Sequence, residues 1–266
     1  DDKLIHVDNL YKQREIYLSS ANVYSILSNW DVSASYDLQW NKMNADMYGF
    51  VYPERFTNLL SVATALRLGK VKLQASGLAT FINDRVEEGP APKARQILTP
   101  AVFASYKPFE KQDFNVRAFY KRIFRMPTFN DLYYARIGNA DLRPEITDQF
   151  NLGITYAVSP AKWLPLFSIT ADVYRNNVKD KIVAMPTKNL FKWSMLNLGK
   201  VEITGIDLTA ETSIKASKKL GFVLGGTYTY QRALDVTSPE GSTYGHQIPY
   251  TPRISGSGRF AVETPW

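Results

Sequence analysis

Cysteine is absent from the 266 residues, which excludes a disulfide framework, a thiolate nucleophile and a cysteine-ligated metal. Histidine occurs only as His6 and His246. That leaves no pair at metal-ligand spacing, and with no glycine-x-serine-x-glycine elbow it leaves no serine triad. No alternating Asp-x-Asp run offers a calcium loop. Glu87 and Glu88 are adjacent, but neighbouring side chains point apart, so both read as solvent-exposed rather than as glycoside-cleaving carboxylates. The chain therefore reads as a non-enzyme without metal or cofactor.

Long apolar runs are missing too. Nowhere do roughly eighteen apolar residues stand together, so a membrane-spanning helix is excluded. A membrane barrel is untouched by that test, because its strands alternate apolar and polar residues. The net charge of +7 is spread along the chain. No lysine-arginine block or nucleic-acid motif accompanies it, so nucleic acid is a poor partner and anionic lipid headgroups a better one. The chain opens on polar Asp1-Asp2-Lys3 rather than on a signal peptide; the expectation is a processed or, preferably, an excised segment of a longer protein.

What is abundant is the aromatic ring, tyrosine above all with 16 copies, set in a two-residue period. Val32, Ala34, Tyr36, Leu38 and Trp40 share one face, and Asp31, Ser33, Ser35, Asp37, Gln39 and Asn41 the other. The same period returns in Phe150 to Val158, in Ile206 to Glu211 and in Phe222 to Gln231, whereas helical spacing is not sustained anywhere. Turn residues place strands at 10–24, 30–43, 55–68, 71–84, 95–107, 113–124, 145–158, 166–178, 193–213, 220–232 and 253–264. Most exceed the roughly 5 to 6 residues of soluble strands and meet the roughly 9 to 11 that cross a bilayer at a tilt. Short connections alternate with long ones at 44–54, 85–94, 125–144, 179–192 and 233–252, the order of periplasmic turns and extracellular loops in an outer-membrane barrel. Tyr24, Trp30, Trp40, Tyr106, Trp163, Tyr228 and Tyr230 fall near strand ends, where rings form interfacial girdles. Alternation alone also fits a soluble sandwich or lipocalin with its apolar face turned inward.

One long connection carries Phe124-Arg125-Met126-Pro127 and then Gly138-Asn139-Ala140-Asp141-Leu142-Arg143-Pro144-Glu145. The pair resembles the phenylalanine-arginine-x-proline and glycine-asparagine-x-x-leucine-x-proline-glutamate motifs of TonB-dependent outer-membrane receptors. Asn197-Leu198-Gly199 through Gly205 is similar to that family's asparagine-x-glycine-x-x-x-x-x-glycine signature, and Pro249-Tyr250-Thr251-Pro252 to its return from a loop into a strand. The resemblance implies an all-β, up-and-down transmembrane barrel, present as a partial barrel domain over 1–266 with the plug domain and C-terminal closing strands absent. It implies a place in the cell outer membrane and TonB-dependent uptake of a large scarce nutrient, cobalamin or another corrinoid first, with an iron-siderophore or haem receptor as the alternative. A soluble β-rich glycan-binding module is the alternative from another class. The implied partners are TonB through the missing plug segment, outer-membrane lipid, the nutrient itself and a surface lipoprotein.

Within the motif, Pro127 and Pro144 end regular structure, Gly138 and Asn139 suit a turn with positive φ, and Asp141 suits bonds to nearby amides. The segment from Phe124 to Glu145 reads as loop scaffold, with Tyr133, Tyr134 and Arg136 as its ligand-contact candidates and Arg125 as a partner for a plug carboxylate. Further candidates on the long connections are Tyr48, Phe50 and Tyr52, then Phe191 and Trp193, then Tyr244, His246 and Tyr250. Rings with polar tips suit a large, partly polar ligand, though each also suits packing of the loops. Asp37, Gln39, Asp172, Asp207 and Glu211 are expected on a water-lined lumen wall.

Overall fold

The computed structural model describes residues 9–89, 92–135, 137–186 and 192–265. Eleven strands follow one another as β1 (Tyr11–Leu27), β2 (Trp30–Ala45), β3 (Glu54–Leu68), β4 (Val71–Arg85), β5 (Arg95–Tyr106), β6 (Asp113–Arg125), β7 (Glu145–Val158), β8 (Leu166–Pro186), β9 (Trp193–Ser217), β10 (Leu220–Asp235) and β11 (Ile254–Glu263). They form one open sheet in sequence order, each strand antiparallel to the next. Tight links at one end force this meander. Two residues join β1 to β2, β3 to β4 and β9 to β10, and Gly69 supplies the φ of +56° that the second of these turns needs.

Register converts the two-residue period into two faces. On one, Ile16 opposes Trp40 and Trp40 opposes Phe56; farther along, Leu152 opposes Val173 and Val173 opposes Ile206. On the other, Tyr17 meets Gln39, Gln39 meets Thr57 and Thr57 meets Ile82. The first face is bare: Leu18, Val62, Leu98, Leu152 and Phe260 are 52 to 64% exposed. A soluble sandwich buries such a surface, and patches of this extent mark contact with another apolar phase. The soluble-module alternative thus loses its basis, since the apolar side chains are not turned inward. Tyr24, Trp30, Tyr106, Trp163, Tyr228 and Tyr230 are all exposed, and Trp30 and Trp40 give their indole N–H groups to Thr64 and Glu54, as amphipathic girdle rings do.

Burial is concentrated at the end carrying the long connections. Met43, Ala45, Phe50 and Phe129 form one buried cluster there, Leu132, Leu142 and Ile182 a second, and Val178, Val201, Ala233 and Ile248 a third. The face against which these clusters pack is called inner below, and the bare face outer.

Two expectations need correction. The segment 179–192 is not all loop: β8 runs to Pro186 and β9 starts at Trp193. Lys179-Asp180-Lys181 lacks apolar alternation because this part of the hairpin rises past the apolar band, and Asp180 has a φ of 54° inside the strand. A helix also occurs, α1 (Phe129–Tyr133), too short for any periodic signal.

Candidate functional site

The motif segment is a strut across the mouth. Pro127, fully buried, ends β6, and Thr128 caps α1: its hydroxyl accepts from the Asp131 N–H at 3.1 Å while the Asp131 carboxylate accepts from the Thr128 N–H at 2.9 Å. This reciprocal box holds a helix of a single turn that propensity could not. Threonine followed three residues later by an acid was the readable signal. Arg125 lies 3.2 Å from Asp131 and 3.8 Å from Glu145, so this cation has partners within its own loop. α1 carries Phe129 into the cluster with Met43 and Phe50, and Leu132 into the cluster with Ile182. Tyr133 packs against both, and burial, followed by the charge of Asp84, pushes its phenol above the usual range.

Beneath α1 lies an ion pair that the sequence does not single out. Arg55 on β3 and Asp84 on β4 are register partners, joined through Nε to Oδ1 at 2.7 Å and Nη2 to Oδ2 at 2.8 Å. The third nitrogen, Nη1, donates to the Pro127 carbonyl at 2.7 Å, and the guanidinium stands 5.1 Å over the Phe129 ring. With side chains only 10 and 5% exposed, the pair is buried, bidentate and saturated, the arrangement in which such a pair is tolerated. It ties the barrel wall to the start of the strut.

The second half of the motif docks on the β8–β9 hairpin. Asn139 Nδ2 donates to the Met195 carbonyl at 3.0 Å, and the Met195 N–H donates to the Ile137 carbonyl at 2.9 Å. Asn197, first residue of the third motif, accepts from the Arg143 N–H at 2.8 Å and donates to the Arg143 and Asp180 carbonyls at 2.9 and 2.8 Å. Arg143 also pairs with Asp180 at 2.7 Å. Motifs separated by more than fifty residues are thus two halves of one joint. The turn chemistry differs from expectation at two points. Neither Gly138 nor Asn139 has a positive φ; the glycine is needed instead because a Cβ at Gly138 would lie 2.7 to 2.8 Å from the backbone of Tyr134 and Leu132. At the second point, the Asp141 N–H donates to the Asn139 side chain at 3.0 Å, and among the described residues no amide donates to the Asp141 carboxylate.

The structure sorts the aromatic candidates into groups. Phe50 is buried and Tyr52 packs beside it, their rings edge-on at 5.4 Å, so both brace the loop. Tyr134 is exposed and stacks on Tyr11 at 5.0 Å, while the Tyr11 hydroxyl accepts from the Ala135 N–H at 3.0 Å. Tyr48 stands wholly free. Across the mouth, Trp193 and Tyr250 come together with ring centroids 5.8 Å apart, lining a cavity of about 400 Å³ with Met185, Leu198, Ile248 and Pro249. Tyr244 and His246 are exposed on the connection between β10 and β11. Phe191 and Arg136 lie outside the described residues.

Below the strut, a second cavity of about 460 Å³ is walled by Asn41, Arg55, Thr57, Thr80, Thr99 and Phe129. It opens where the ladder between β5 and β6 stops at Ala101, next to Pro100, which has no N–H to continue it. The inner wall continues polar as expected. Asp37 accepts from the Tyr17 hydroxyl at 2.8 Å, Asp172 pairs with Arg117 and stands opposite Asp207, and Glu211 pairs with Arg259 at 2.9 Å.

A family model described as TonB dependent receptor-like, beta-barrel, matches residues 7–266. Among curated proteins, the chain is 36% identical over 87 residues to the vitamin B12 transporter BtuB of Vibrio vulnificus, which covers 33% of this chain and 13% of that protein. It is 33% identical over 91 residues to the BtuB of Photobacterium profundum, with 33% and 14% covered. Among solved structures, the copper transporter OprC superposes with a TM-score of 0.71 at 15% identity, over 96% of this chain and 41% of that one. The FrpB iron transporter from Neisseria meningitidis gives 0.67 at 12% over 94% and 41%, and the ferric citrate transporter FecA 0.65 at 15% over 95% and 40%. The chain thus spans about two fifths of those solved chains and a smaller share of the curated relatives. Motifs, sheet and family model agree: the chain belongs to the TonB-dependent receptors and forms part of their β-barrel.

Proposed function

We propose that the protein takes up a corrinoid across the outer membrane in a TonB-dependent manner, the long connections capturing the ligand at the mouth described above. The observation that carries the corrinoid reading is the 33 to 36% identity to vitamin B12 transporters along a third of the chain. Copper and iron transporters resemble it at 12 to 15% identity, a level that speaks for the shared fold alone. The mouth suits such cargo. Trp193 and Tyr250 offer flat apolar rings with polar tips, and the polar inner wall beneath offers hydrogen-bonding groups.

Titration of the protein in detergent with cyanocobalamin and, separately, with a ferric hydroxamate chelate tests this. Saturable cobalamin binding with little response to the chelate is expected; preference for the chelate overturns the corrinoid assignment. Trp193→Ala and Tyr250→Ala are each expected to weaken cobalamin binding by about 1–2 kcal/mol, as truncation of a ring at a binding surface does. Unchanged affinity in both variants removes this ring pair from the capture site.

A further inference from the structure

A third cavity, of about 510 Å³, lies between the β4–β5 connection and the strut. It shares no lining residue with the cavity of Trp193 and Tyr250. Its wall is apolar along Val86, Met126, Leu132 and Leu142 and polar where Arg95 enters. Arg95 opens β5 opposite the buried Ile82 of β4. The ladder from β5 to β6 stops at Ala101, so Arg95 has a strand partner on one side only. Its Nε is buried, and among the described residues no hydrogen bond or salt bridge reaches it. The carboxylates that line the cavity do not fill this gap. Asp84 has both oxygens held by Arg55, and Glu88 and Asp141 are exposed, where water satisfies them.

A buried guanidinium N–H without an acceptor is costly, and further donors stand around the same space. Tyr133 lines the cavity with its phenol held protonated by burial, so its hydroxyl is available as a donor. Lys93 adds an exposed ammonium. Donors in one corner and hydrocarbon on the rest of the wall fit an acceptor group joined to an apolar body. We propose that this cavity binds a small amphiphilic carboxylate, its oxygens on the Arg95 fork and the Tyr133 hydroxyl and its hydrocarbon part against Met126, Leu132 and Leu142. A guanidinium and a carboxylate match in two parallel hydrogen bonds. Arg95 belongs to the wall, whereas Leu132, Tyr133 and Leu142 belong to the strut, so the occupant bridges the two and tightens the strut on the wall. Neither Trp193 nor Tyr250 takes part, and the proposal stands apart from the corrinoid reading.

The test uses the receptor in its complete reading frame in a neutral detergent, titrated by ligand-observed NMR with hexanoate, hexanamide, acetate and inorganic phosphate. Hexanoate is expected to saturate and to bind at least roughly tenfold more tightly than hexanamide, the margin of hydrogen bonds to a charged group. Acetate, which lacks the apolar body, and inorganic phosphate should both bind more weakly. R95Q is expected to abolish the preference for hexanoate, and R95K to keep only part of it, because lysine retains the charge without the fork. K111Q, which removes a cation from the short link between β5 and β6, should leave it intact. Equal binding of hexanoate and hexanamide, a preference that survives in R95Q, or acetate or phosphate binding as tightly as hexanoate would each overturn the proposal. Urea midpoints report whether R95Q folds; if it does not, R95K decides, and hexanoate affinity equal to the parent's overturns the role of the fork. Saturating hexanoate should also slow proteolysis within 126–144 in the parent, and unchanged proteolysis would overturn the bridging of wall and strut.

Discussion

Asp84→Ala should lower the stability of the folded wall by about 3–5 kcal/mol, because it strands the Arg55 guanidinium in a site where its side chain is 10% exposed. The expected readout is a fall in the urea midpoint in detergent. The double variant R55M/D84L separates two roles of the pair. Replacing both charges by apolar groups removes the stranded ion, so wall stability should return to near the parent's. The tie to the Pro127 carbonyl and the contact with the Phe129 ring are lost all the same. Proteolysis within 126–144 should therefore be faster in the double variant than in the parent despite equal urea midpoints. Equal proteolysis would show that Arg55 serves the wall alone.

Gly205→Val is the second large effect. Gly205 faces Tyr174 in the register of β8 and β9, and any Cβ would overlap the Tyr174 ring and come within 2.8 Å of the Tyr230 carbonyl. The ring can swing aside, whereas the carbonyl belongs to the β9–β10 ladder and can move only with its strand. Overpacking of this kind costs about 1–3 kcal/mol, with the upper part of that range expected here. Tyr174→Ala added to Gly205→Val should recover part of the loss and leave the backbone clash. Full recovery would place the whole effect on the ring.

These two sites show where sequence reading succeeds and where it stops. The strands were legible because a period of two is imposed by the backbone and survives whichever medium covers the apolar face. Which face looks out was not legible, and exposure of Leu18, Leu98 and Phe260 supplies it. The motif's position between β6 and β7 was legible from proline and glycine. Its inward docking was not, because that depends on Arg55 and Asp84, twenty-nine residues apart and adjacent only through register. Phe50 and Trp193 look alike as loop aromatics, yet one is 2% and the other 38% exposed; tertiary packing alone separates them. Asn197 stands in the sequence as part of a signature, and the structure gives it a task, holding both backbone groups of Arg143.

The central claim is that this sheet is a membrane wall with its alternation set outer to lipid and inner to water. A chain without cysteine permits a direct measurement: single cysteines placed in turn from Val32 to Asn41, with the protein in lipid bilayers, each carrying a nitroxide probed by oxygen and by a water-soluble nickel chelate. The account predicts oxygen-dominated accessibility at Val32, Ala34, Tyr36, Leu38 and Trp40 and chelate-dominated accessibility at Ser33, Ser35, Asp37, Gln39 and Asn41. The opposite phase, or accessibility without a two-residue period, would contradict it.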